Sequence, residues 1–292
     1  MAGIPTNRTS GFTLPPEISE EILAKMQTES AVMRLAREIE LPGRGVSIPV
    51  ILGDPSAAWV AETDEKPVSN PSISTKTMVP YKLAVIVPFS KEFRRDAAAL
   101  YDELVRRLPA ALAYKFDQTV VGAVQAPGND FDTLANAQVQ SLDTDVYDAL
   151  VLADTDIAVN GGIMNGIALA PQGRGVLLAA KDKNDRPLFI NSAAEGAVPM
   201  VLGAPTVISR GIYAEGVSAN AVGIAGDWTQ AMYGTVEGVI IDYSEDATLT
   251  LADNSTINLF QRNMFAVRAE IEIGFVCDED CFNLLTVTPA SE

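Results

Sequence analysis

Apolar residues recur at three- and four-residue intervals through one long stretch, residues 90–126 (SKEFRRDAAALYDELVRRLPAALAYKFDQTVVGAVQA). Phe93, Ala97, Leu100, Leu104, Leu108 and Leu112 fall on one face of a 3.6-residue helix. Ser90 suits the N-cap, and Glu92 and Asp96 bring negative charge to the positive end of the helix dipole. The opposite face carries Arg94, Arg95, Asp102, Arg106 and Lys115. Pro109 interrupts the pattern: it lacks an N–H and clashes with the carbonyl four residues earlier, which predicts a kink near residues 105–109. A helix of about 35 residues would span roughly 50 Å. With one face too apolar for water and the other too charged for a core, it reads as a strut.

A period of two is clearest at residues 264–276 (MFAVRAEIEIGFV). Phe265, Val267, Ala269, Ile271, Ile273 and Phe275 share one side of this strand, and Arg268, Glu270 and Glu272 the other. Residues 282–287 predict a last strand, and 81–88 (YKLAVIVP) a β-prone run leading into the strut. Two short helices are expected at 17–27, where Ile18, Ile22 and Met26 lie four apart, and at 30–35. Strands are expected at 39–41 and 46–51, around the turn Pro42-Gly43-Arg44-Gly45. After a break at residues 127–130, a helix over 143–158 would be capped by Asp143 or Thr144 and stopped by Asn160-Gly161-Gly162. Short strands at 166–170, 176–178, 188–190, 206–209, 221–225 and 237–243 complete a mixed α+β pattern.

Two stretches do not fit a compact body. Residues 1–16 are rich in Gly, Pro, Ser and Thr and read as a mobile arm. Residues 53–80 are polar and proline-rich, two extended limbs around the turn tip ETDEKPVSNP. So long a structureless loop is improbable in a compact domain, and an isolated hairpin is marginal in water. Such an element makes physical sense lying against another molecule.

Composition narrows the function. The 292 residues are 48% hydrophobic, enough for a substantial core. No apolar run approaches the ~20 residues that cross a bilayer, and the N-terminus lacks a signal pattern, so a soluble protein made in the cytoplasm is expected. The net charge of −17 argues against tight nucleic-acid binding. That charge is uneven: residues 1–125 hold 14 Lys+Arg against 15 Asp+Glu, and the remainder 7 against 23. Histidine is absent, which removes the commonest general base and metal ligand and excludes a Ser-His-Asp or Cys-His site.

The candidate chemistry is thin. Cys277-Asp278-Glu279-Asp280-Cys281 is the most metal-like cluster, but two thiols without histidine fall short of a zinc site. Flanking a turn, the thiols are close enough for a disulfide to be conceivable, with the reduced form the default in a cytoplasmic product. The glycines around 161–166 and 223–226 form neither G-x-G-x-x-G nor a P-loop, and read as helix stops and turns. Glu237, Asp242, Glu245 and Asp246 could supply a carboxylate pair, but acidic residues are common enough here for coincidence. Trp59 and Trp228 read as packing anchors. No cofactor, metal or catalytic residue is expected.

The order of elements resembles the major capsid protein of tailed bacteriophages, the Hong Kong 97-type shell fold that encapsulin nanocompartments share. The resemblance is carried by GFTLPPEISEEILAKM (11–26), AAWVAETDEKPVSNPSI (57–73), YKLAVIVPFSKEFRRD (81–96), GAPTVIS (203–209), GDWTQAMYG (226–234) and NMFAVRAEIEIGFVCDEDCFNLLTV (263–287). Each motif is loose; their order and spacing are specific. The resemblance implies an N-terminal arm at 1–44, an extended loop (E-loop) at 45–84 lying on a neighbour, and a peripheral domain with the spine helix at 85–127. It also implies an axial domain at 128–256 and peripheral return strands at 257–292. Trp59, Glu62 and Lys66 near the loop tip, and Arg94, Arg95 and Arg106 on the strut, become the candidates for contacts between subunits.

The same resemblance implies a non-enzymatic protein that self-assembles as pentamers and hexamers into an icosahedral virion around double-stranded DNA, without sequence-specific binding. Assembly would take place in the bacterial host cytoplasm, with separate portal and decoration proteins as potential partners. Met1 leads almost directly into the arm; if the chain is the full gene product, scaffolding is expected to come from a separate protein or to be unnecessary. Lys66 and Lys76 fall where some members carry a crosslinking lysine, but no local motif identifies an acceptor and no crosslink is expected. The rivals are an encapsulin shell holding a cargo enzyme and, from another class, a histidine-free enzyme or binding module.

Overall fold

The computed structural model describes residues 16–52, 59–60, 72–92, 97–189, 200–216, 218–251 and 253–289, excepting the side chains of 16–19, 49–52, 72–74 and 97–105. Its spine is the strand with the clean two-residue period, β14 (Met264–Cys277). On one edge β14 pairs antiparallel with β4 (Tyr81–Ser90) from Met264↔Ser90 to Ile273↔Tyr81. On its other edge β11 (Ile240–Ser244) and then β10 (Ala231–Thr235) pair with successive stretches, and β1 (Arg37–Glu40) joins β10 in parallel. The predicted inner residues Phe265, Val267, Ala269, Ile271, Ile273 and Phe275 are all buried. On the opposite face Lys82 bridges Glu270 and Glu272 at 2.8 and 3.2 Å, and Arg268 pairs with Asp242. Alternation along β14 thus separates a core from a charged surface.

Against the apolar face lie α1 (Pro16–Glu29) and the strut α3 (Ala97–Val120). Ile22 and Met26 of α1 and Leu108, Leu112, Phe116 and Val120 of α3 are buried in one cluster with β14. Phe116 sets its ring edge-on to Phe275 and Phe131, with centroids 6.1 and 6.2 Å apart. Pro109 is accommodated inside a single continuous helix. The strut is nevertheless shorter than its periodicity predicts. Ser90 does not cap it, because β4 runs on to pair Ser90 with Met264, and the chain leaves the helix at Val120 through Gly122 in the left-handed region.

A second sheet of six strands has the order β5 (Gln138–Ser141), β15 (Phe282–Val287), β9 (Asn220–Gly226), β6 (Gly166–Leu169), β8 (Ala204–Ile208) and β7 (Met200–Val201). One face packs on α4 (Val146–Val159) and α5 (Pro171–Ala179) through Leu150, Ile157, Leu177, Ile167, Val222 and Leu285. The other face joins the cluster of the first sheet through Ile224, Phe282 and Trp228, whose indole donates to the Gly166 carbonyl at 3.0 Å. A short pair, β12 (Thr248–Thr250) with β13 (Thr256–Asn258), follows β11. The expected strand at 176–178 lies inside α5, which Pro171 starts and buried Leu177 holds to the sheet. At 188–190 there is no strand among the described residues; the tight turn before it closes by a bridge between Lys181 and Pro187. The cap of α4 is Asp145; Asp143 instead accepts from Thr288. Strand pairing also crosses the expected segment bounds, since β10 and β11 join β14 whereas β15 joins β9.

One buried carboxylate ties the strut to the short helix after α1 and to the six-stranded sheet. Asp117 of α3 accepts from the hydroxyls of Ser30 and, at 2.6 Å, Ser209, and from the N–H groups of Ala31 at 3.0 Å and Val32 at 3.4 Å. Ser30 also caps α2 (Ala31–Leu35), and Ser209 follows β8. Burial pushes the Asp117 carboxyl up to about 6, more than these hydrogen bonds lower it. Between an ordinary value of 3.8 and about 6 the folded chain therefore holds a proton that the unfolded chain has lost. The resulting stabilisation is complete below the lower value and is lost as pH rises through the upper. Asp117→Asn should remove this dependence. From pH 4 to pH 7, wild type should lose about 2 kcal/mol relative to the variant in urea titrations of the dispersed subunit; parallel profiles would contradict it.

Candidate assembly surface at the β2–β3 hairpin

The segment between the turn at residue 45 and β4 forms a hairpin, β2 (Val46–Leu52) antiparallel to β3 (Ser72–Met78), in register from Val46↔Met78 to Leu52↔Ser72. Among the described residues this ribbon pairs with no third strand. Pro49 within β2 fits such a ribbon, because proline is tolerated in a strand with a free edge.

Among the described residues it is the base of the ribbon that is built into the body. Gly45 turns the chain with φ +82°, and a side chain there would sit 2.6 Å from the Met78 carbonyl. Met78 is fully buried beside Leu41 and Val276 on the outer side of β14. Room for it exists because Gly274 is bare: a Cβ there would come within 2.7 Å of Met78 Cγ. Next to this contact, Lys76 Nζ lies 3.0 Å from Asp132 Oδ2 and also donates to the Cys277 carbonyl. The same Asp132 oxygen accepts the Cys277 N–H at 3.1 Å, while the Asp132 N–H donates to the Phe275 carbonyl at 3.1 Å. Burial opposes the Lys76 charge, yet the hydrogen bond and charge of Asp132 outweigh it and hold the ammonium above its ordinary pKa. A charged lysine in this clamp is a structural anchor, not a nucleophile.

Trp59, between the two strands in sequence, is fully exposed. Packing is the expectation for it as a lone tryptophan; among the described residues nothing covers it. Arg106 is exposed on α3. Glu62, Lys66, Arg94 and Arg95 lie outside the described residues, as do residues 1–15 and the ETDEKPVSNP tip. The Lys76–Asp132–Cys277 clamp has no signal in the sequence, its partners being 56 and 201 positions away.

The chemical candidates resolve into structure. Cys277 and Cys281 are free and buried, so the conceivable disulfide is not formed. Burial pushes the Cys277 thiol well up and that of Cys281 to about 11, leaving little thiolate to react. Asp242 is taken by Arg268, and Glu245 by Lys91 at 3.0 Å. Among the described residues no group of His, Cys, Asp or Glu is arranged to hold a metal, and no helix is long and apolar enough to cross a membrane.

Residues 10–284 match the model of the phage capsid family. The chain is 32% identical to the probable major capsid protein gp17 of Mycobacterium phage L5, over 96% of this chain and 90% of that protein. It is 24% identical to the major capsid protein of Staphylococcus phage 80alpha, over 92% of this chain and 83% of the relative. Among solved structures, one from Mycobacterium phage Adephagia superposes with a TM-score of 0.71 at 21% identity, covering 90% of this chain and 91% of the other.

The clamp makes a prediction of its own. Lys76→Met should leave the thermal midpoint almost unchanged while amide exchange across residues 46–52 and 72–78 quickens about tenfold, since one charge-assisted bond contributes on the order of 1–2 kcal/mol. Unchanged exchange in the hairpin would show that Lys76 does not anchor it.

Proposed function

The chain belongs to the phage capsid family, and from that premise we propose that it is the repeating shell subunit of a tailed-phage head, a major capsid protein of the Hong Kong 97-type fold. The observation that carries this reading is the ribbon β2–β3. It is fixed at its base by Lys76 and Met78, carries a fully exposed tryptophan between its strands, and has no third strand among the described residues. A protein that lived alone would gain nothing from such an element, whereas a lattice supplies its missing neighbour.

In this reading residues 1–44 are the arm and 45–84 the E-loop. The peripheral body is the five-stranded sheet with α3, and the axial body is the six-stranded sheet with α4 and α5. Trp59, Glu62 and Lys66 touch the next subunit, and Arg94, Arg95 and Arg106 receive its acidic groups. Pentamers and hexamers of this subunit enclose double-stranded DNA, which the acidic chain does not grip. Portal, scaffolding and decoration functions belong to other proteins, assembly takes place in the host cytoplasm, and the role is structural rather than enzymatic.

The test is the expressed protein itself, by sedimentation velocity and negative-stain microscopy. Closed or tubular particles are expected. A lone monomer at high concentration would contradict the proposal. Trp59→Ala should leave the melting of dispersed subunits unchanged, because that ring is fully exposed, and should lower particle yield.

A further inference from the structure

Two surfaces of the six-stranded half complement each other and do not meet within the chain. The first is the outward side of α4. Its inner stripe, Ala149, Leu150, Ala153 and Ile157, is buried on the sheet, yet Val151, Leu152 and Val159 are exposed on the other side, as is Ile163 just beyond it. The helix has no lysine or arginine. Of its carboxylates Asp156 is bonded to Gln140, while Asp148 and Asp154 are exposed without an ion pair among the described residues.

The second surface is the tight turn after α5. Asp182 Oδ1 accepts the N–H groups of Asn184 and Arg186, each at 2.8 Å, and Leu188 N–H bonds the Ala180 carbonyl at 3.1 Å. Held this way, the turn exposes Lys181, Lys183 and Arg186 together, again without ion pairs among the described residues. These are three of only seven cations in residues 126–292. A cluster of positive charge in so acidic a region, beside an apolar face bearing unpaired aspartates on the same body, calls for a partner that presents the opposite arrangement.

We propose that the α4 face of one subunit receives the 181–187 turn of the next copy of this chain. The inference rests on the shell-subunit reading and specifies one of its contacts. Leu152 and Val159 are covered by the turn and its surroundings, and Asp148 and Asp154 pair with Lys181, Lys183 and Arg186. Because the two surfaces differ, the contact is heterologous and repeats head to tail, which closes into rings. The opposite charges set register and suppress wrong approaches, while the apolar residues supply most of the affinity.

Charge swapping tests it. Asp148→Lys with Asp154→Lys, and separately Lys183→Glu with Arg186→Glu, should each lower the yield of sedimenting particles at least about tenfold, with the subunit's circular dichroism and melting unchanged. All four changes in one chain, with Lys181 left in place, again set opposite charges at 148 and 154 against 183 and 186 and should restore particles. Particles at wild-type yield from either half-swapped chain, or none from the folded four-fold variant, would overturn the proposal. Should a half-swapped chain misfold, Leu152→Cys with Lys183→Cys gives an independent reading: oxidised particles should run as a subunit ladder on a non-reducing gel, and monomers alone would overturn the contact. Failure of wild type to form particles would instead count against the shell-subunit reading.

Discussion

A two-stranded ribbon cannot satisfy itself. Each strand of β2–β3 turns one row of N–H and C=O groups toward its partner and the other row outward. Such a ribbon gains its stability from whatever lies against it. Among the described residues the support lies at the base, where Met78 fills the space that Gly274 leaves open and Lys76 grips Asp132 and the end of β14. The anchor fixes where the ribbon starts without supplying what it needs along its length. If an identical neighbour supplies that need, as proposed, the ordering of the ribbon and the association of subunits become one event.

The rest of the chain forms a platform stiff enough to present that ribbon. Two sheets share a core into which α1, α2 and the buried half of α3 are wedged, and Phe116 contacts three aromatic rings from other segments. Asp117 sits one residue further on and draws α2 and the turn after β8 onto the strut through four donors. Burying a carboxylate without a cation is costly, which is why its proton is held unusually tightly. The charged face of β14 lies on the other side of the sheet, where cross-strand pairs such as Lys82–Glu270 are half in water and contribute little alone.

Most of the fold was legible wherever one periodicity held for long. The two-residue alternation of β14 survived intact because one face meets a core and the other meets charge. The short helix expected at 30–35 is α2, with Ser30 as its cap rather than its first residue. The errors arose where a distant partner outbid a local preference. Ser90 is a sound N-cap residue, but the β4–β14 ladder extends far enough to claim it. Val176–Leu178 is β-prone, but Pro171 starts a helix whose buried side uses Leu177. Asp143 was displaced as a cap by Thr288, a pairing across 145 positions that no local pattern encodes. The candidate assembly surface was legible as an oddity of composition, whereas Trp59, read as a packing anchor, is exposed. The clamp beneath it was not, since Lys76, Asp132 and Cys277 come together only through the register of β14.

Tryptophan fluorescence offers the most direct measurement of whether the ribbon is covered by a neighbour. The chain has two tryptophans, and in the single subunit Trp228 is buried while Trp59 is fully exposed. Acrylamide should quench one emitting population in dispersed subunits and spare the other. On assembly the quenchable population should disappear as Trp59 becomes covered. Particles in which Trp59 stays as quenchable as in the dispersed subunit would contradict the claim that the hairpin finds its missing support on an identical copy.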